Sequence, residues 1–417
     1  MKPAATSETP TASAAPPVPE QTLHEVIEAL APIERPPGSP GEREAAEWLE
    51  RRFRAAGVKQ VELEQGPHWG TFPPTATALS GLGVTGAALV LMGRRVTGAL
   101  AALAAFAGIL DEAENGPRVF RRALRRKQSL VNVVARLGDP EAERTLVVLA
   151  HHDAPQTGAI FDQTLQRKAF EVAPKFMDRF KTSIPHWWGA LAGPLATIAA
   201  AVSGRRAGAR AGVALGLVST GIVADIWRSP TVPGANDNLS GVAGLVGLAE
   251  MLRERPPSGL RVLLVSAGAE ESLQDGIRAF MDSHAHELPV ERTWFINFET
   301  TGSPFLASLE GEGPVAMRDY SDPSFRELVA GLASGAGIPL ERGLRGRVST
   351  DSVIPSRAGY PTVTLASVTF WRGLANYHWP TDVPENVDYG TVAESVRLAY
   401  AVAESLAAGD PRAAGRA

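Results

Sequence analysis

Two adjacent carboxylates stand at the end of an apolar run in the second half of the chain. Glu270 and Glu271 follow residues 260–269, whose Val and Leu residues are typical of a strand buried on both faces of a parallel sheet. Catalytic groups of open α/β sheets gather at such carboxyl ends of strands. One carboxylate of the pair can bind a metal while the other contacts a water beside it, although Glu-Glu is also a common dipeptide of solvated loops.

Further candidate ligands follow other predicted strands. His151 and Asp153 come after the apolar strand 145–150, and Glu299 ends the strand 293–298. Alternate residues at a strand end share a direction, so one of the two can bind a metal while the other orients it. A lone residue of either type is more often structural, so the weight lies in the combination.

Two polar loops supply the remaining candidates. Asp237 lies in residues 234–241, just before an apolar helix, where it can be a helix N-cap or a carboxylate that bridges two metals. His378 lies in residues 376–382, where a proline restricts the backbone and Asp382 can orient nearby groups.

Strands that alternate with helices must position these groups. Strand patterns cover residues 58–64, 130–137, 145–150, 260–266, 293–298 and 361–366, and helix patterns cover 21–30, 40–57, 240–252, 323–335 and 388–406. This order predicts an α/β fold with a mixed, mostly parallel central sheet and helices on both faces.

Composition limits the chemistry. The chain has 417 residues, a net charge of −4 and no cysteine. Thiolate metal sites, cysteine nucleophiles and disulfides are therefore excluded, and any metal must be held by His, Asp and Glu, a ligand set that suits zinc, manganese or cobalt. The nearly neutral charge argues against a general nucleic-acid binder. Residues 1–20 and 408–417 are predicted to be disordered tails, the first without the apolar stretch of a secretory signal peptide.

Two apolar stretches interrupt the α/β order. Residues 75–110 and 187–223 each resemble a helical hairpin of small and aliphatic residues with arginines at its tip. Their arms of about 14–19 residues are at or just below the length of a bilayer span. They can be membrane-associated hairpins or soluble ones packed on the main domain. Basic residues on both flanks, such as Arg125, Arg126 and Lys127, would place the main domain on the cytoplasmic side if the hairpins span.

The motifs together resemble the dinuclear zinc aminopeptidase family, whose relatives include bacterial leucyl aminopeptidases, aminopeptidase Y, glutamate carboxypeptidase and glutaminyl cyclases. The most specific motif is Gly-Ala-Asn-Asp-Asn-x-Ser-Gly at 234–241, followed by Gly-Ala-Glu-Glu at 268–271 and Tyr-His-x-Pro-x-Asp at 377–382. The resemblance implies a single zinc-exopeptidase-like domain over residues 21–407, with apolar hairpin insertions at 70–128 and 160–230.

The resemblance also implies a role for each candidate. Asp237 would bridge two Zn²⁺ ions, with Mn²⁺ or Co²⁺ as alternatives; His151 and Glu299 would complete one metal site, and Glu271 and His378 the other. A bridging hydroxide would be the nucleophile and Glu270 the general base, with Asp153 behind His151. The implied activity is exopeptidase cleavage of a peptide or aminoacyl substrate, most typical of an aminopeptidase. The alternatives are a carboxypeptidase, an amidohydrolase, a glutaminyl cyclase or a non-catalytic membrane scaffold.

The chain departs from the family pattern in places. Glu299 stands where aminopeptidases usually have Asp, which weakens the assignment of exopeptidase direction but not of metal binding. Residues 349–352 match the family only partly, so Asp351 is given no role beyond shaping the pocket. Tyr377 and Tyr360 are the two candidates for a tyrosine that stabilises the oxyanion.

Overall fold

The computed structural model describes residues 15–409. In this part of the chain the strands are β1 (Gln60–His68), β2 (Gln128–Gly138), β3 (Thr145–His151), β4 (Arg261–Ala267), β5 (Thr293–Glu299), β6 (Phe305–Glu312), β7 (Arg318–Asp319), β8 (Glu341–Gly346) and β9 (Thr362–Val368). The helices are α1 (Glu20–Leu30), α2 (Pro40–Ala55), α3 (Phe72–Leu91), α4 (Arg95–Ala113), α5 (Val119–Leu124), α6 (Thr164–Val172), α7 (Pro174–Met177), α8 (His186–Ser203), α9 (Arg206–Arg228), α10 (Ser240–Glu254), α11 (Asp275–His284), α12 (Pro323–Gly335), α13 (Val353–Arg357) and α14 (Tyr389–Ala407).

One mixed sheet contains all of these strands. Its order is β1-β2-β4-β3-β5-β9-β6-β7, and β8 pairs with β6. The central strands β4, β3, β5 and β9 are parallel to one another, whereas β1, β2, β6 and β7 pair antiparallel at the two sides. The prediction of a mixed, mostly parallel α/β sheet is confirmed, and the carboxyl ends of the four central strands meet at one edge.

Both faces of the sheet are covered by helices, because the central strands are apolar on both sides. Every residue of β3, β5 and β9 is buried. One face packs against α1, α10 and α14 in the main hydrophobic core, which includes Leu146 and Val148. The other face packs against α11 through Ile277 and Phe280.

The sequence patterns missed the strands on one side of the sheet. Strand β8 has the sequence Glu-Arg-Gly-Leu-Arg-Gly and pairs with β6 with register shifts. Its polar residues and partial exposure give no apolar alternation, so its strand conformation depends on pairing with a distant segment. Strand β2 was expected correctly, but it pairs with β4 and not with β3, its successor in the chain.

The two apolar stretches form helical hairpins, as predicted, and pack together as one four-helix unit made of α3, α4, α8 and α9. The helices approach closely where glycines face each other: a Cβ added at Gly86 would lie 2.7 Å from the carbonyl oxygen of Gly98. Helices α3, α4 and α9 have 20, 19 and 23 residues and are apolar enough to cross a membrane.

The predicted tails lie mostly outside the described residues, which exclude 1–14 and 410–417. Within the described part, Val18 packs against the main core and α1 begins at Glu20.

Candidate active site and metal centre

The carboxyl-terminal edge of the central strands brings the predicted site residues together. Strand β3 ends in His151, which lies in register with Ala267 at the end of β4, and β5 ends in Glu299. The loops after β4 and before α10 and α14 add the remaining side chains. The residues that converge are His151, Asp153, Asp237, Glu270, Glu271, Glu299 and His378.

The first possible metal site consists of His151, Asp237 and Glu299. His151 Nε2 lies 3.4 Å from Asp237 Oδ1 and 3.6 Å from Glu299 Oε1. One ligand atom from each of the three residues falls within 4.8 Å of the others, a spacing that can hold one metal ion. Asn297 donates a hydrogen bond to Glu299 Oε2 at 3.2 Å, which leaves Oε1 turned towards His151.

The second possible metal site shares Asp237 with the first. His378 Nε2 lies 3.2 Å from Asp237 Oδ2 and 3.4 Å from Glu271 Oε1. These three residues also form a group with ligand atoms within 4.8 Å. The two oxygens of Asp237 therefore face different histidines, the arrangement that a carboxylate bridging two ions requires.

Glu270 lies between the ligands and a polar anchor. Its Oε2 is 3.8 Å from His151 Nε2, and its Oε1 accepts a hydrogen bond from Gln274 Nε2 at 2.6 Å. Gln274 also donates to the carbonyl of Ser349 and accepts from the hydroxyl of that residue, so its amide is held at both ends. One oxygen of Glu270 is thereby fixed and the other faces the centre of the site.

The site contains several buried carboxyl groups, whose ionised forms need a cation beside them. Burial raises the pKa of Glu270 well above its ordinary value, and it also raises the pKa values of Glu271 and Glu299. Burial lowers the pKa of His151, but the neighbouring carboxylates, Glu270 first, outweigh burial and raise it. Buried carboxylates in such number cannot all ionise without positive charge beside them.

Buried polar atoms without hydrogen-bond partners indicate where a metal cation fits. Among the residues that the structure describes, His151 Nε2 and Asp237 Oδ2 are buried without a hydrogen-bond partner. Both are ligand atoms of the sites above. Nitrogen and carboxylate donors, with no thiolate, are a ligand set that zinc accepts, so the residues present fit the metal.

Asp153 joins the histidine to the glutamate pair. Its Oδ1 and Oδ2 accept the backbone N–H groups of Glu270 and Glu271, each at 3.0 Å. The same carboxylate lies 3.4 Å from His151 Nδ1. Asp153 thus contacts His151 on the Nδ1 side of the ring, and it also orients the loop that carries both glutamates.

The loop of Asp237 is held by two residues from distant segments. Asp382 accepts the backbone N–H groups of Asn236 at 2.7 Å and Asp237 at 3.0 Å, and burial raises the pKa of Asp382 to about 7. Arg35 is fully buried and donates to the carbonyls of Pro233 and Gly234. Asp382 was predicted to orient nearby groups, whereas the role of Arg35 depends on long-range contacts that no local pattern indicates.

The loop after β4 that carries Glu270 and Glu271 has further supports that the sequence patterns did not indicate. Glu42 of α2 accepts the N–H of Ala269 at 3.0 Å, next to Glu270. Arg121, which follows the first hairpin, donates to the carbonyl of Ser272 at 2.6 Å and pairs with buried Glu112. Arg118 donates to the carbonyl of Leu273.

Of the residues to which the sequence assigned no definite role, Asp351 and Tyr377 lie in the site and Tyr360 does not. Asp351 is fully buried beside the ligands, and burial raises its pKa to about 8. The ring of Tyr377 packs on His378, and burial followed by the site carboxylates raises the pKa of Tyr377. Tyr360 is not in the site, because its hydroxyl donates to the carbonyl of Leu288 and its ring packs on Phe295.

A narrow cleft leads to Glu271 and His378. Its other walls are Phe72 of α3, Ile226 of α9, the loop residue Phe161 and the residues Pro37, Thr71, Pro73 and Gln156. The ring centre of Phe161 lies 4.3 Å from that of His378. Phe72 and Ile226 belong to the end of the four-helix unit nearest the sheet, which we call the base of the unit. The base therefore forms one side of the entrance.

Sequence comparison links this site to a known family. Residues 219–403 match the profile of Peptidase_M28, peptidase family M28. The chain is also 26% identical over 200 residues to the probable lipoprotein aminopeptidase LpqL of Mycobacterium tuberculosis, a match that covers 42% of this chain and 40% of that protein. The match thus spans less than half the length of this curated relative.

Structure comparison agrees at the level of the fold. A zinc-dependent exopeptidase from Parabacteroides distasonis superposes with a TM-score of 0.54 at 14% identity, with 94% of this chain and 99% of that one covered. A glutaminyl cyclase from an Acidobacteriales bacterium gives a TM-score of 0.55 at 13% identity, with 97% and 100% covered. These matches confirm the resemblance that the motifs predicted: part of the chain matches peptidase family M28, and the fold is that of zinc-dependent exopeptidases and glutaminyl cyclases.

Proposed function

We propose that this protein is a two-zinc exopeptidase, and specifically an aminopeptidase, with Glu270 as its general base. The observation that carries the proposal is the position of Asp237, whose two oxygens face His151 and His378 at 3.4 Å and 3.2 Å. Two ligand groups that share one carboxylate are what a pair of neighbouring ions needs.

The metal would be held by five side chains: His151, Asp237, Glu271, Glu299 and His378. When bound, two zinc ions would lower the pKa of a water towards neutrality and polarise the scissile carbonyl. Mn²⁺ and Co²⁺ accept the same ligands.

The protein's own contribution is to position and move the proton. Glu270 Oε1 is held by Gln274 at 2.6 Å, so the free oxygen Oε2 faces the site centre, 3.8 Å from His151 Nε2. We propose that this oxygen takes the proton of the attacking water and later gives it to the leaving amine. Burial raises the pKa of this carboxyl group, which makes its carboxylate a stronger base than that of an exposed glutamate and so suits the removal of the proton from water.

The direction of cleavage is part of the proposal. Bound metal would offset the charge of Glu271 and Glu299, so the acidity of the centre does not by itself set the direction. A free substrate amino group is a nitrogen ligand that one of the two ions would bind. The probable aminopeptidase LpqL among the relatives supports the same direction.

A panel of chromogenic aminoacyl substrates tests this function. We expect hydrolysis that a chelator abolishes and that added Zn²⁺ restores. Blocking the substrate's amino group by acetylation should remove activity, and it serves as the control for direction. Cleavage of blocked peptides with a free carboxyl terminus would instead support a carboxypeptidase.

The second candidate reaction is cyclisation of an amino-terminal glutamine, since a glutaminyl cyclase shares the fold. One metal is enough for that reaction, so the two ligand groups favour hydrolysis. Ammonia release from a Gln-peptide together with conversion of its terminal residue to pyroglutamate, without peptide-bond cleavage, would identify a cyclase. An amidohydrolase on the same site and a non-catalytic membrane scaffold are the remaining alternatives, and absence of turnover on every substrate would indicate the scaffold.

Membrane association and a cytoplasmic position of the main domain complete the proposal. Three helices of the four-helix unit are long and apolar enough to cross a bilayer. Basic residues at the base of the unit, including Arg122, Arg125 and Arg126, lie on the side of the main domain. By the positive-inside rule we expect that side to be the cytoplasmic one.

A further inference from the structure

We propose that the four-helix unit of α3, α4, α8 and α9 is inserted in a lipid bilayer, and that it holds the active-site entrance at the membrane surface. The second part rests on the proposed peptidase function. It implies a substrate class: peptides whose amino termini lie at the membrane surface.

The lengths of the helices match the thickness of a bilayer. Helices α3 and α4 have 20 and 19 residues, and α9 has 23. At about 1.5 Å per residue they are roughly 30 Å long, the thickness of the hydrocarbon layer. Between residues 72 and 110, and again between 186 and 224, there is no Asp, Glu or Lys, and the arginines are confined to the tips.

The outward faces of the unit are apolar and have no protein partner among the described residues. On α4 the exposed side chains Val96, Leu100 and Leu103 follow helical spacing and are 75%, 62% and 52% exposed. Fewer than half of the residues in each candidate span are buried: 44% for α3, 39% for α4 and 28% for α9. A belt of this kind on an ordinary soluble surface is rare.

Lipid rather than a second protein is indicated by the two ends of the unit. At the tips, Arg94, Arg95, Arg205, Arg206 and Arg210 are all exposed, and Arg206 donates to the carbonyl of Leu91 in the other hairpin, so the two tips lie together. Arginines that are confined to the tips can extend their long side chains to the headgroups while the apolar helices stay in the hydrocarbon layer.

The base of the unit has the other signature of a membrane interface. Four of the chain's 8 tryptophans lie there: Trp69, Trp187, Trp188 and Trp227. Arg122 stacks over Trp69 with its guanidinium carbon 4.5 Å from the ring centre. Tryptophan and arginine at the depth of the headgroups anchor helices in bilayers.

Four hydroxyls of the helices are satisfied by the helix backbone, which suits a hydrocarbon environment, whereas Thr75 Oγ1 and Ser80 Oγ, buried inside the unit, have no hydrogen-bond partner among the described residues. The hydroxyls of Thr85, Thr197, Thr220 and Ser203 each donate to the carbonyl four residues earlier. Thr85 and Ser203 do so although their side chains are on the outside of the unit. This hydrogen bonding lets an exposed hydroxyl enter lipid without an unpaired donor.

The base of the unit is also the wall of the active-site cleft. Phe72 begins α3 and Ile226 lies in the last turn of α9, and both line the cleft that reaches Glu271 and His378. If the helices cross the hydrocarbon layer, this entrance lies at the headgroup level. Peptides held at the membrane surface then lie at the same level as the entrance, so they can reach the site by diffusion along that surface.

The absence of cysteine from the chain allows a direct topology experiment. Met92→Cys places a thiol at the tip, where the native side chain is 67% exposed, and Ser334→Cys places one on α12 of the main domain as the matched control. The protein is reconstituted in sealed vesicles of equal phosphatidylcholine and phosphatidylglycerol. In molecules oriented with the main domain outside, the Ser334→Cys thiol reacts with a membrane-impermeant reagent while the vesicles are intact. In the same orientation, we expect the Met92→Cys thiol to react only after the vesicles are opened. Equal reaction of both thiols before opening would overturn insertion across the bilayer.

A second experiment separates the anchor from the chemistry. Leu103→Lys/Leu217→Lys puts two charges in the middle of the apolar belt, and Phe305→Lys/Ser334→Lys adds the same two charges to the main domain. The belt variant should bind the vesicles at least about a hundredfold less than wild type, while the control binds as wild type does. On vesicles, wild type should cleave a lipid-anchored peptide at least tenfold faster than the belt variant, while both cleave the soluble peptide alike.

The two failures are distinguishable. Wild-type protein that stays monomeric without detergent and ignores the vesicles would overturn the membrane inference, whatever its activity. Vesicle binding without hydrolysis of any peptide would instead overturn the proposed peptidase function and leave the anchor in place.

Discussion

The guanidinium of Arg121 donates a hydrogen bond to the backbone carbonyl of Ser272 at 2.6 Å. Arg121 follows the first apolar hairpin, and Ser272 lies two residues after Glu270. The inserted unit and the loop that carries Glu270 are therefore joined by a buried contact, which Glu112 strengthens by pairing with the same guanidinium.

Arg121→Lys tests whether this contact positions Glu270. Lysine keeps the charge but cannot serve Ser272 and Glu112 together, because its ammonium lacks the fork of the guanidinium. We expect the free energy of unfolding to fall by about 2–3 kcal/mol and kcat to fall about tenfold with KM and metal content little changed. The control is the neighbouring exposed Arg122→Lys, measured by steady-state kinetics and urea unfolding. Lower stability with an unchanged kcat would restrict Arg121 to a structural role.

Metal stoichiometry tests the shared ligand. Asp237→Ala removes a ligand from both proposed sites, whereas Glu299→Ala and His378→Ala each remove one from a single site. Wild type should bind two zinc ions per chain, the single-site variants about one, and Asp237→Ala close to none. His152→Asn is the control, since His152 is buried next to the site but its Nδ1 is bonded to Ser266. Equal metal loss in all three ligand variants, after dialysis and elemental analysis, would contradict two sites that share Asp237.

Asp153→Asn tests the carboxylate behind His151. Asparagine has one acceptor oxygen, so one of the two N–H groups of Glu270 and Glu271 loses its partner, and His151 loses a charged neighbour. Loss of such a supporting carboxylate costs roughly 10–100-fold in metal affinity or activity. Zinc titration with a competing chelator, together with kcat at saturating zinc, measures the two effects separately. An unchanged zinc affinity and an unchanged kcat would show that Asp153 has neither role.

Sequence patterns identify the candidate ligands more readily than the residues that support them. His151, Asp237, Glu270, Glu271, Glu299 and His378 stand at strand ends or in polar loops, so local patterns and motif order find them. Arg35, Glu42 and Arg121 act through contacts with segments more than a hundred residues away, such as Arg35 with Gly234 and Glu42 with Ala269. No periodicity shows such contacts. Strand β8 is hidden because its own residues do not alternate; its partner β6, 34 residues earlier in the chain, supplies the order that they lack.

The pH dependence of the metal-free protein follows from its buried carboxyl groups. Burial raises the pKa of Glu312 to about 8, and it raises the pKa values of Glu42 and Asp351 to about 8 as well. A carboxyl whose pKa is raised in the folded state stabilises the fold at low pH, and this stability is lost as the pH rises through the folded-state pKa. Metal-free protein should therefore melt at a lower temperature at about pH 9 than at about pH 6.5.

Glu312→Gln provides the control for that dependence. Glu312 accepts the N–H and the hydroxyl of Thr350 but is not a proposed metal ligand. Its replacement by a neutral amide should reduce the fall in melting temperature between the two pH values. Calorimetry of the chelator-treated proteins measures both. A melting temperature that rises with pH in this range would contradict the effect assigned to these buried carboxyls.

The most direct test of the central claim is Glu270→Gln, assayed for bound zinc and for hydrolysis of an aminoacyl substrate in the same preparation. The glutamine keeps the size of the side chain and its contact with Gln274, but it cannot accept the proton of the attacking water. We predict two zinc ions per chain, as in wild type, and a kcat lower by about 10³-fold or more. Wild-type hydrolysis by the zinc-loaded variant would contradict the role of Glu270 as the general base.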